Sequence, residues 1–109
     1  MDRYGQYEAF ERARMHFELR DPAAAARILE PLAEQQPDNR AVVELLARCY
    51  FHSAQLRRAE RAFRRLLELA PDDAWAHEAL ARTLERQSRP AEAEPYRKLA
   101  LAMGGKTGW

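Results

Sequence analysis

The strongest constraint on this 109-residue chain is a spacing. Pro37 and Pro71 stand 34 residues apart, and so do Asp38 and Asp72. Further breaks fall at Asp21-Pro22 and Ser88-Arg89-Pro90, with a looser one around Ser53. Between them run stretches rich in Ala, Leu, Arg and Glu, all strong helix formers. β-Branched residues are confined to Ile28, Val42, Val43, Thr83 and Thr107, and few positions alternate with period two, so strands are not expected. The breaks also carry helix-start chemistry. Asp21 can cap a helix whose first residue, Pro22, has no N–H to leave unsatisfied. Ser88 or Arg89 before Pro90 reads the same way, and Asp38/Asn39 and Asp72/Asp73 put negative charge at a positive dipole end. The spacing predicts six helices, at roughly 4–19, 22–36, 39–53, 56–70, 73–87 and 90–103. The short loops make neighbours antiparallel. Pro31 lies deep inside the second helix and predicts a kink or loosened turn; Pro95 lies nearer a helix start.

Frames beginning at Gln6, Arg40 and Ala74 align three segments. Ala13, Ala47 and Ala81 coincide, as do Ala25, Ala59 and Ala93, and Arg14, Arg48 and Arg82. The middle segment carries Val43, Leu46, Ala47, Tyr50, Ala59, Phe63, Leu66 and Pro71 at the characteristic small and apolar places of a helix-turn-helix unit. A 34-residue unit of this kind resembles the tetratricopeptide repeat family. The first segment departs from the pattern at Arg12, where the family prefers Leu. The resemblance implies an all-α fold: a right-handed α-solenoid of three repeats, approximately 6–39, 40–73 and 74–107, in one domain over 1–109, with 104–109 a short tail. Small Ala47 and Ala59 would let paired helices approach, and Tyr50, Phe63 and Leu66 would fill the seams. No repeat can bury its apolar face alone, so stacking makes the core.

The resemblance also implies a function, a non-enzymatic adaptor or scaffold whose first helix in each repeat lines a concave groove. The groove would bind a peptide or helix of a protein partner. Its candidate residues are Tyr7, Phe10, Arg14 and Phe17 in the first repeat, Glu44, Arg48, Phe51 and His52 in the second, and Trp75, Glu78, Arg82 and Arg86 in the third. The ladder of Arg14, Arg48 and Arg82 suits bidentate carboxylate recognition, which points to an acidic partner. Glu44–Arg48 and Glu78–Arg82 are also favourable i,i+4 pairs, so the arginines have a second use within their own helices. The aromatics could anchor a partner's apolar side chains, or pack between repeats. Some family members clamp chaperone C-termini with Lys, Asn and Arg. The corresponding places here hold Phe10, Arg14, Leu45, Trp75 and Ala79, and only Arg14 has a compatible charge.

Composition narrows the alternatives. Lys plus Arg total 18 and Asp plus Glu 17, a net charge of +1, which argues against a dedicated nucleic-acid binder. Arg57, Arg58, Arg61, Arg64 and Arg65 form a local basic cluster, read as a solvated outer helix face tempered by Glu60 and Glu68. Nucleic-acid binding through that cluster is the weaker alternative. Cys49 stands alone, so no internal disulfide exists, and it reads as a small packing residue. His16, His52 and His77 share no metal-ligand spacing, and no catalytic set stands out, so no metal, cofactor or enzymatic activity is expected. Gly104-Gly105-Lys106-Thr107 lacks the earlier glycine, the strand and the helix of a phosphate-binding loop; Gly104 and Gly105 read as a helix end. No segment approaches the ~20 apolar residues of a membrane span, and the start of the chain lacks a signal-peptide apolar run. The expectation is a cytoplasmic bacterial protein, the latter from Arg- and Ala-rich codon usage.

A stack needs a polar end. Arg97 and Glu94 stand where Phe63 and Glu60 stand one repeat earlier, but Tyr96, Leu99, Leu101 and Met103 remain. They predict an exposed apolar patch and, as the alternative function, a self-associating homodimer.

Overall fold

The computed structural model describes residues 2–104. Six helices follow one another: α1 Arg3–Glu18, α2 Pro22–Gln35, α3 Arg40–His52, α4 Leu56–Leu69, α5 Ala74–Arg86 and α6 Pro90–Ala102. No strand occurs among the described residues. Four helices start on a side chain that accepts a backbone N–H three residues on: Asp2 from Gly5, Asp21 from Ala24, Asn39 from Val42 and Asp73 from Ala76. α2 remains one helix across Pro31, which lies on its exposed side. Of the expected tail, all but Gly104 lies outside the described residues. Gly104, at φ +81°, closes α6 in the left-handed conformation that glycine adopts freely.

The turn inside each helix pair repeats with the sequence period. Arg20, Ala54 and Ser88, 34 residues apart, all have positive φ, at 64°, 59° and 62°. Each lets the next N–H reach back five residues: Asp21 to the His16 carbonyl, Gln55 to Tyr50 and Arg89 to Leu84, at 2.8, 2.9 and 3.0 Å. This bond takes up a carbonyl at the helix end and reverses the chain.

The core runs through the stack. Ala13, Ala47 and Ala81 are fully buried, as are Ala25 and Ala59, and Ala93 is nearly so. No larger side chain fits there without parting the helices. Leu29, Leu32, Phe63, Leu66, Leu80 and Leu84 fill the spaces between. Cys49 is buried with them, and burial pushes its thiol up to about 12, which leaves it inert.

Polar clasps join the second repeat to the third. Glu60 accepts from Arg89 at 2.7 Å, Gln87 at 3.0 Å and Arg64 at 3.1 Å. Burial alone would raise the Glu60 carboxyl, but these three donors hold it below its ordinary value. Arg40 reaches Asp73, the cap of α5, at 2.7 Å, and Arg65 reaches back to the first repeat, donating to the Pro37 carbonyl at 3.1 Å. The basic cluster is therefore not one free face. Arg64 turns toward the third repeat, Arg65 toward the first, and Arg58 donates to Gln55 at 2.9 Å.

Candidate partner-binding groove

The first helices of the three pairs, α1, α3 and α5, present the candidate residues, and the structure divides them into an open stretch and a closed one. The open stretch lies between α1 and α3. Phe10, Arg14, Phe17 and Glu18 from α1 face Ala41, Glu44, Leu45 and Arg48 from α3 around a hollow of about 360 Å³. Phe10, Phe17 and Leu45 are half-buried and rest on the core, so the floor is apolar and fixed. Charges stand on both rims. Arg14 is half exposed and pairs with Glu11 at 3.1 Å and Glu18 at 3.6 Å; Arg48 pairs loosely with Glu44 at 3.5 Å. The hollow continues at both ends. Tyr7 and Phe10 border a space of about 210 Å³ next to Ala41 and Val42. Phe17 and His52 border one of about 420 Å³ with Arg20 and Pro22.

His52 packs edge-on against Phe17 at 5.6 Å and against Phe51 at 5.4 Å. Partial burial, then the nearby Arg48 and Arg86, lower its pKa below the ordinary histidine value. At neutral pH the positive charge of this stretch is thus arginine's alone.

The α5 side is closed, which corrects three of the candidates as open groove residues. Phe51 is 9% exposed, and the Arg86 guanidinium covers its ring at 4.9 Å. Trp75 stacks edge-on against Phe63 at 5.9 Å, and Arg48 covers its face at 4.3 Å. Both rings are seams between repeats. Glu78 is 1% exposed and paired with Arg82 at 3.3 Å and with Arg97. Arg97 also holds Glu85, so it ties α6 across α5. In the sequence Arg97 is marked only as a polar replacement for Phe63. That replacement was the available signal: without an aromatic at this place, the side chain folds back onto its own repeat. Leu45 stands at a groove place that the repeat frame marks on α3, whereas no motif marks Arg20.

The four residues proposed for self-association do not form one patch. The Tyr96 hydroxyl accepts from Arg64 at 2.8 Å, and its ring stacks on His77, so Tyr96 faces α4. Leu99 and Met103, three and seven residues on, share its stripe of α6. Leu101 is four residues after Arg97 on the other stripe, 58% exposed beside charged neighbours. The error came from taking α6 alone, without the helix it packs on.

No group of side chains among the described residues could hold a metal ion, and no helix among them is long and apolar enough to cross a membrane.

The tetratricopeptide repeat model matches residues 16–82, over half of the chain. No curated protein matches it. Among solved structures, a MamA mutant superposes with a TM-score of 0.87 at 24% identity, over 91% of this chain and 72% of its own. MamA AMB-1 gives 0.87 at 24% identity, over 91% and 59%. MamA from Desulfovibrio magneticus RS-1 gives 0.82 at 17% identity, over 88% and 54%. The likeness is one of fold, and the chain spans little more than half the length of the last two.

Proposed function

We propose that this chain, which belongs to the tetratricopeptide repeat family, is an adaptor that binds a segment of a protein partner between α1 and α3. The family as a whole serves as non-catalytic protein-interaction scaffolds. The observation that carries the finer reading is the hollow floored by Phe10, Phe17 and Leu45 and rimmed by Arg14 and Arg48. A preformed apolar floor accepts one or two anchor side chains at little ordering cost to the receptor. The rim arginines favour acidic residues beside those anchors. Arg14 is paired with flexible carboxylates of its own helix, and Arg48 rests on the Trp75 ring with Glu44 as its ion-pair partner, so a partner's carboxylate can replace these pairings. Arg82 stands apart in the ladder, because its Glu78 is buried and also held by Arg97.

The test is a peptide selected from a random library on the immobilised protein. Its affinity is then measured against Arg14→Glu/Arg48→Glu and against Arg57→Glu/Arg61→Glu on the outer helix. The groove pair is expected to weaken binding at least tenfold, and the outer pair to leave it unchanged. The reverse result would overturn the groove reading in favour of the basic cluster.

A further inference from the structure

We propose that the outer face of α1 is a self-complementary surface that pairs two copies of this chain antiparallel, through their first helices. Four of the exposed large hydrophobic residues stand on or beside this one helix: Tyr4 at 72%, Tyr7 at 64%, Met15 at 57% and Leu19 at 72%. Successive residues turn by about 100° around a helix. Tyr4, Tyr7, Met15 and Leu19 therefore lie on one side, opposite buried Ala9 and Ala13. Glu8, Glu11 and Arg12 lie among them.

The repeat register shows what this side is built for. The places of Glu8, Arg12 and Met15 are filled in α3 by Val42, Leu46 and Cys49, and in α5 by Ala76, Leu80 and Thr83. All six are buried, because a preceding helix pair covers them. In α1 two of the three places carry charge. A further repeat stacked there would bury Glu8 and Arg12 in a seam, whereas a weaker, polar interface accepts them. Neither side chain has an ion-pair partner among the described residues, although they stand one helical turn apart.

Charge order selects a second copy as the occupant. About a two-fold axis between residues 11 and 12, Tyr4 meets Leu19 of the other copy, while Tyr7 and Met15 fall opposite His16 and Glu8. At the centre each Arg12 meets Glu11 and lies within a turn of Glu8. The outermost apolar residues, Tyr4 and Leu19, then meet one another at both ends, and each arginine meets carboxylates twice over by symmetry. Parallel pairing would set Arg12 against Arg12 and Glu8 against Glu8. The C-terminal helix offers no such match: Leu101 stands alone on the stripe beyond Arg97, and exposed Leu99 and Met103 lie on the other stripe, beside Tyr96.

Sedimentation equilibrium of the full chain tests the proposal. The wild type is expected to shift from one to two chain masses as concentration rises. Arg12→Glu places three acids at the centre and is expected to raise the dimer dissociation constant at least tenfold, with unchanged circular dichroism. Glu8→Arg weakens the dimer in the same direction. An equimolar mixture of the two variants is expected to dimerise again, since each supplies the charge the other lacks. A wild type that stays monomeric at millimolar concentration would refute the proposal. So would a dimer indifferent to Arg12→Glu, or one broken instead by Leu101→Glu.

Discussion

Individual side chains decide which parts of the groove are open. Arg97 is the clearest case. It sits in the place of Phe63 and neutralises Glu78, a carboxylate that is 1% exposed. Removing one partner of a buried pair leaves an uncompensated charge, at a cost of about 3–5 kcal/mol when both are fully buried. Here Arg97 keeps some solvent contact and Arg82 remains beside Glu78. Arg97→Met is therefore expected to cost about 2 kcal/mol in urea unfolding, and an unchanged midpoint would contradict the clasp. His52 gives a prediction in pH. Its folded pKa lies below the ordinary value, so the unfolded chain takes up a proton before the folded one does. Stability is full above about pH 6.5 and falls as pH drops from there through the folded value. Glu60, also lowered, keeps its contribution until pH falls below the ordinary carboxylate range, so the first acid loss belongs to the histidine. His52→Gln is expected to flatten the stability profile between about pH 7 and 5.

At the scale of the element, the turn within each helix pair carries a cost that the sequence repeats three times. Arg20, Ala54 and Ser88 hold a left-handed conformation, which costs a non-glycine residue about 1 kcal/mol. Ala54 is exposed, so Ala54→Gly relieves strain without opening a cavity, and the greater freedom of glycine in the unfolded chain offsets part of the gain. The expected result is about 0.5 kcal/mol of added stability, by thermal or urea unfolding. In a helix interior the same change would destabilise by about 1 kcal/mol, so the sign tests the turn. Helix positions were legible in the sequence to within about a residue, because caps and proline breaks act locally. The groove was legible only on α1 and α3. Phe51, Trp75 and Glu78 are closed off by Arg86, Arg48 and Arg97, and those partners stand 19 to 35 residues away along the chain. Tyr96 was misplaced for the same reason, its neighbour Arg64 being 32 residues back.

Taken whole, the molecule is a short rod of 41 × 24 × 21 Å with different work at different places along it. Its second and third repeats are bound by the Glu60 clasp and the Trp75 seam, the Arg97 clasp ties α6 to α5 within the third, and together they form a firm base. Its first two repeats leave the groove open between α1 and α3, while the far side of α1 carries the apolar residues that suit a second copy. The same helix thus presents one face to a partner and another to a twin, with Tyr7 and Glu11 standing on the edge between them. The balanced charge of the chain hides this division, since many of its basic groups, Arg14, Arg48, Arg82 and Arg89 among them, are paired with carboxylates. The central claim is that a partner segment lies between α1 and α3. Amide chemical-shift mapping on the isotope-labelled protein, titrated with the library-selected peptide, tests it directly. Shifts are expected to concentrate at Phe10, Arg14, Phe17, Leu45 and Arg48, with α4 and α6 silent. Shifts centred on Arg57 and Arg61, or on the α6 surface around Leu99 and Met103, would contradict it.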